Sequence, residues 1–353
     1  MKNLVYAAGL LSVALTLTAT REAVARRPRW GGHGAVAVSP DGKTVAVGGV
    51  GRTLYLVDAA DRQVVRRHWH GAQIGALAFN ADGSVLVLED ETSTVTLLDS
   101  QSLEPRKTLK NTDFISMSEA RDRMAALTDR NRKLTIFSTA DGTSQLAMDL
   151  PEGFHSVVHA LHPDGNRAAL LGRAFDQPLP EGTETPADLP KEHARLFQDG
   201  KASRMLIYDT RSGEQLADHT LWYTSQGSDN MSLSFRGRDV VVFTYNAVNI
   251  VVDEQGNIRP LESLPRFGYG RAASADHTRL ATGSLAAGVV GVWTPDGLQT
   301  TKFALKDRLR GWPEYFADFA FAPDGQSVYG VTSAFRLIHI RHDGSIVSST
   351  PVY

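Results

Sequence analysis

The sequence predicts an all-β protein, a seven-bladed β-propeller with four antiparallel strands per blade. Three observations predict it. A turn followed by an apolar run returns along the chain, the copies are spaced close to forty residues apart, and a second strand-like run closed by a second turn follows each copy. Such a period with four short strands per unit is that of a propeller and not of a helical array.

The turn comes first. "SPDGKTVAVGG" begins at Ser39, and close variants begin at Asn80 ("NADGSVLVLED"), His162 ("HPDGNRAALLG") and Ala322 ("APDGQSVYGVT"). In Ser39-Pro40-Asp41-Gly42 the proline presets φ at the second turn position, the aspartate suits the third, and the glycine accepts the left-handed conformation that ends it. Aligning the rest gives seven turns, starting at Ser39, Asn80, Ser118, His162, Arg236, Ser274 and Ala322. Three are degenerate: "SEAR" lacks Pro and Gly, "SADH" has His277 in the Gly place, and "RGRD" shortens to a Gly-first hairpin. Steps run 38 to 48 residues, except for 74 between His162 and Arg236, which holds an insertion.

The third strand of each unit is next. It reads "TLYLVD", "TVTLLD", "KLTIFS", "MLIYDT", "VNIVVD", "VVGVWT" and "LIHIRH", usually ending near a polar residue and a turn such as "TRSG" or "EQGN". With "HGAQIGALAFNADG" (His70 to Gly83) and the Trp of "VWTPDG" (Val292 to Gly297), the chain resembles the WD-repeat propellers. The resemblance covers nearly all of the chain after the leader. No unit has both the Gly-His and the Trp-Asp pair, so the repeat is WD-like. The family's histidine is a structural hydrogen-bonding residue, which the resemblance implies for His70. One blade cannot bury both faces of its sheet; radial stacking does, which is why the unit repeats. Seven strand sets run from Gly34 to Thr350, leaving no N-terminal strand to complete the last blade.

The leader precedes all of this. "MKNLVYAAGLLSVALTLTAT" has one Lys before an uncharged apolar stretch, and "AVA" (Ala23 to Ala25) supplies the small residues a signal peptidase reads. Residues 1–25 are therefore expected to be a cleaved signal peptide, with a single propeller over 26–353 in the periplasm or outside the cell. No membrane association is expected after cleavage. The chain has no cysteine, which excludes disulfides, thiolate nucleophiles and Cys-ligated metals. Without the leader the net charge is −3, which is no footprint for nucleic acid.

The loops sort onto two faces. The "PDG" turns share one with the third-to-fourth turns, whose vocabulary is generic: "SPDGK", "DAADR", "TADGT". The second-to-third loops and the blade-to-blade connectors share the other. There stand Trp69 and His70 of "RHWHGAQ", His155 of "LPEGFH", Trp222 and Tyr223 of "LWYTSQGSDN", Arg266, Tyr269 and Arg271 of "LPRFGYGR", and Arg310, Trp312 and Tyr315 of "DRLRGWPEYF". With Trp30 this face takes four of the five tryptophans, and only Trp293 sits in a strand. Large aromatics with Arg and His beside them are contact chemistry, so these residues are the expected partner-binding set. An insertion over about 173–203 belongs to the same face; "DLPKEHARLFQDG" reads as a short helix after a proline-rich half, and the segment as a docking arm or lid.

No catalytic constellation emerges. His68 and His70 with His155 and His33 suggest a metal site, but His70 already has a structural reading, so no metal is expected. His159 and His162 read as satisfied core histidines. Glu89, Asp90 and Glu91 in "LEDETS" read as a solvated acidic loop. Nucleophile elbows, zinc-protease helices and phosphate loops are missing, so no cofactor is expected either. The functional expectation is a non-catalytic periplasmic scaffold that binds a protein partner through the aromatic, Arg-rich face. The alternative is an enzyme or enzyme subunit. The architecture is similar to the propeller subunits of periplasmic amine dehydrogenases, whose redox cofactor belongs to another subunit, and to propeller lactonases, whose channel carboxylates and metal are not evident here.

Overall fold

A strand flanked by sheets on both sides must be apolar at successive positions rather than at alternate ones. The second strands meet that demand: in Thr44–Gly49, Val85–Asp90 and Arg167–Gly172 every residue after the first is buried. The computed structural model describes residues 33–353 apart from 174, 178, 181, 186, 188, 190, 223–230, 245–249, 261–270, 274–279, 284–288, 295–296, 303–313 and 342. The expected leader and the turn at Ser274 lie outside the described residues. Among the described residues the strands form seven antiparallel sheets, six with four strands and one with five, each built from a contiguous stretch of chain. Antiparallel, sequential order within each sheet is the propeller pattern.

Alternation sends each strand's two faces into different seams. In the innermost strand His33–Val38, Ala35 and Ala37 pack with Ile74, Leu77 and Leu86 of the second sheet. Val36 and Val38 pack with Tyr329, Val331 and Leu337 of the seventh. The same division recurs in the second sheet, where Leu86 and Leu88 face the first sheet while Val85 and Val87 join Met124, Ala126 and Phe137 of the third. First and last sheets are thus neighbours, as a ring requires. Their seam is also crossed by the Val36 amide, which donates to Asp318 Oδ2 at 3.0 Å. The seventh sheet is built wholly from residues 316–351.

Close packing explains a glycine in the second strand of the first and last units. A Cβ on Gly48 would lie 2.8 Å from the side chain of Ile74, and one on Gly330 would lie 2.7 Å from the Phe316 ring. Gly48→Ala is expected to cost about 1–3 kcal/mol, the usual effect of overpacking a buried site. Urea denaturation of wild type and variant measures it; an unchanged midpoint would show that the first two sheets can part at no cost.

The inner turns interlock. Gly83 lies over Pro40 and Gly42 over Pro323, so one turn's proline seats the next turn's glycine. The Glu119 amide donates to Pro163 O at 2.8 Å, and His162 Nε2 lies 2.9 Å from Gly237 O. The degenerate "SEAR" turn puts Arg121 at φ 56°, where other turns have glycine. From there its Nη1 donates to Val38 O at 3.0 Å, joining the third sheet to the first past the second.

The insertion is folded onto the fourth sheet. Its strand Lys201–Asp209 begins early and pairs with Phe175–Asp176, inside the proline-rich half. A helix, Lys191–Gln198, follows the proline-rich half, and Gly200 beyond its end has φ 61°. No helix among the described residues is long and apolar enough to cross a membrane.

Candidate functional site

The connector face is built on two clamps, and each presents an aromatic residue. Both start from the first register pair of a sheet, Ile74 with Asp90 in the second and Phe316 with Thr332 in the seventh. The second-strand member of each pair reaches back to hold the incoming connector.

In the second sheet that member is Asp90. His70 Nε2 lies 2.8 Å from its Oδ2, with the imidazole only 12% exposed. Oδ1 accepts the Thr92 amide at 2.8 Å and the Thr92 hydroxyl at 2.6 Å. Burial alone would raise the Asp90 pKa, but the hydrogen bonds from His70 and Thr92 outweigh it and hold the carboxyl below its usual value. The His70 amide donates to Arg52 O at 2.9 Å, and the Glu91 amide to Gln73 O at 3.0 Å. The connector is therefore fixed at both ends. Trp69, the last residue of the outer strand Val64–Trp69, leaves this base 67% exposed. His70 sits inside the clamp, the role its family resemblance implied.

In the seventh sheet the clamp is a buried ion pair. Glu314 is 1% exposed and Arg336 is 17% exposed, and their side chains meet in a two-point contact. Arg336 Nε donates to Glu314 Oε1 at 2.8 Å, and Nη2 pairs with Oε2. The Thr332 hydroxyl adds a bond to Oε1 at 2.5 Å, and Arg336 Nη1 donates to Ser349 Oγ at 3.0 Å. Tyr315 follows directly, half-buried, its amide donating to Ser333 Oγ at 3.2 Å. Neither Glu314 nor Arg336 stood out in the sequence. The signal available was positional: a charged residue just before an innermost strand, and an opposite one opening the third strand of the same unit.

The other expected site residues fall as follows. His155 is exposed beside Phe154, which is buried against Gly172 and fills the seam between the third and fourth sheets. Trp222 is half-buried, because Phe197 of the insertion helix meets its ring edge-on at 4.7 Å. The tryptophan is thus the seat of the insertion. Arg271 opens the innermost strand of the sixth sheet. Tyr223, Arg266, Tyr269, Arg310 and Trp312 lie outside the described residues.

"LEDETS" departs from its solvated reading. Glu89 and Asp90 are buried, at 6% and 7% exposure, and only Glu91 is exposed. Glu89 Oε2 accepts the Ile115 amide of the third sheet at 2.9 Å, as Asp318 accepts Val36 across the first and last sheets. These carboxylates staple neighbouring blades, and such a cross-sheet acceptor is invisible in a linear reading. Glu89, Asp90 and Glu91 line an open pocket with Asp113, Phe114 and Gln73 at the seam of the second and third sheets. His159 departs as well: Nε2 lies 3.3 Å from Ala125 O, but Nδ1 is buried without a partner. Among the described residues no three His, Asp or Glu side chains are grouped so as to hold a metal.

No protein-family model and no curated protein matches the chain. Solved structures do. The chain is similar to one in Kuenenia stuttgartiensis hydrazine synthase, with 16% identity and a TM-score of 0.62 over 90% of this chain and 97% of that one. It is also similar to Chaetomium thermophilum Raptor, with 13% identity and a TM-score of 0.61 over 87% of this chain; the match spans 28% of Raptor. At such identities the likeness establishes the fold alone.

Proposed function

We propose that this propeller is an exported, non-catalytic scaffold that docks a protein partner on its connector face. The observation that carries the reading is Trp69, 67% exposed at the end of a strand whose connector is pinned by His70 and Asp90. An exposed indole on a fixed base loses little freedom when it is covered, and aromatic anchors of that kind dominate interface energies. Tyr315 stands on a second fixed base on the same face, and Trp222 joins the insertion to it. The leader sequence supports export, and fractionation with N-terminal sequencing of the mature protein tests it.

Trp69→Ala is expected to weaken partner capture by about 2 kcal/mol or more, roughly thirtyfold, with the melting temperature unchanged. The measurement is a quantitative pull-down from the native source, with Trp222→Ala and Tyr315→Ala in parallel. Undiminished capture by all three variants would remove the connector face as the docking surface. The eluate is also read for absorbance and metal. A coloured or metal-bearing complex would make the chain a subunit of an enzyme, the class to which hydrazine synthase belongs by its name.

A further inference from the structure

The outer strands of the second to fifth sheets neutralise a charge within their own sheet. Arg106 pairs with Asp99 at 2.5 Å and Asp149 with Lys133 at 3.2 Å. Asp218 pairs with Arg204, and Arg259 with Asp239. The first sheet breaks this habit. Its outer strand Val64–Trp69 reads "VVRRHW", with Arg66 and Arg67 exposed and no acidic residue in the strand. Arg67 Nη2 donates to the backbone oxygen of Tyr353 at 2.9 Å, and neither arginine has a carboxylate side chain within ion-pair distance among the described residues. The outer strand of the adjacent second sheet, Pro105–Lys110, adds Lys110, exposed, on the first-sheet side of its strand and likewise without a carboxylate side chain among the described residues. In a chain of net charge −2 this is a local excess of cations without side-chain carboxylate partners.

The same strand carries unburied apolar surface. Val65 is 59% and Trp69 67% exposed; Trp69 shares one side of the strand with Arg67, and Val65 sits at the bulge where the register shifts opposite Leu56 and Val57. Tyr353, 71% exposed, is held beside them by the Arg67 bond. Among the described residues the strand pairs on one side only, with Thr53–Asp58, so its other backbone edge is open to them. Edge strands are usually blunted by burial, proline or repulsive charge. Here the charge is of one sign and repels only partners that are themselves basic.

We propose that this rim, which meets the connector face only at Trp69, binds an acidic, extended segment of a protein partner laid along Val64–Trp69 as a fifth strand. The open backbone edge supplies main-chain hydrogen bonds, Val65 and Trp69 take apolar side chains, and Arg66, Arg67 and Lys110 take the acidic ones. A strand edge flanked by apolar side chains fits a peptide and gives a nucleic acid nothing to pair with.

The test uses the full mature chain and three probes: a capped peptide of four Val-Glu repeats, its Val-Lys counterpart, and an oligothymidylate of equal charge to the first. Calorimetry is expected to show the acidic peptide binding at least tenfold tighter than the other two. Arg66→Glu and Lys110→Glu, both on exposed residues, should each weaken it several-fold while leaving the melting temperature in place. Amide hydrogen exchange over Val64–Trp69 should slow on binding. Absence of binding, equal binding of the two peptides, preference for the oligonucleotide, or unchanged exchange along this strand would each overturn the proposal. Trp222→Ala and Tyr315→Ala, which probe the connector face beyond the shared Trp69, should leave the peptide affinity unaltered, so the rim and the rest of that face fail or stand separately.

Discussion

Arg336→Ala should lower the unfolding free energy by about 3–5 kcal/mol, because it strands a carboxylate in the interior. Glu314 is 1% exposed, and Arg336 supplies both its ionic partner and two of its hydrogen bonds. With the guanidinium gone, only the Thr332 hydroxyl among the described residues remains within bonding distance of Oε1, and one neutral donor does not replace a two-point cationic one. The pair Arg195–Asp199 is the contrast: at 84% and 55% exposure its loss should fall within about 0.5 kcal/mol. Urea denaturation of the single variants and of Glu314→Gln with Arg336→Met separates the two causes. Removing both charges should recover much of the loss, since a buried pair is worth less than the penalty of breaking it. An Arg336→Ala protein within about 1 kcal/mol of wild type would mean that Glu314 finds water when unpaired, and that the Tyr315 connector is held by something else.

Acidification should be the second large effect. Burial pushes the His159 pKa down from 6.5 to about 4, partly offset by the bond to Ala125 O. Above pH 6.5 the imidazole is neutral whether the chain is folded or not, and it contributes no pH dependence. Below that, the unfolded chain takes up a proton that the native state refuses, so stability falls as pH falls, and the whole loss is in place below about pH 4. The interval corresponds to about 3 kcal/mol. His339, stacked on Tyr329 at 4.2 Å, is lowered in the same direction by burial and then by Arg62 and Arg341. His159→Gln keeps a donor for Ala125 O but cannot titrate. Its stability between pH 7 and pH 4 should therefore decline less than that of wild type by about 3 kcal/mol, read from denaturation midpoints across the range. Parallel curves for the two proteins would place the acid-sensitive group elsewhere.

The fold was legible because its information is local. A Pro-Asp-Gly turn, a doubly apolar strand and a period near forty residues are each visible within one window, and together they imply stacked sheets. What escaped was whatever depends on a neighbour far along the chain. Glu89 is buried because Ile115 of the next sheet offers an amide, and nothing in "LEDETS" announces that. The arginine of "SEAR" occupies a glycine position to reach Val38, 83 residues away. The same boundary divides the candidate site. The exposure of Trp69 follows from its place at the end of an outer strand, whereas Trp222 is covered by Phe197, which arrives on the insertion from 25 residues upstream.

Because each sheet is woven from one unbroken stretch, every hydrogen-bond ladder can be completed from its own residues without waiting for the rest of the chain. Blades can thus be added in order along the chain, each docking on the one already made. The joint between Val36 and Val331 must wait for nearly the whole polypeptide, so the closing contact carries the large loop-closure cost that slows the folding of non-local structure.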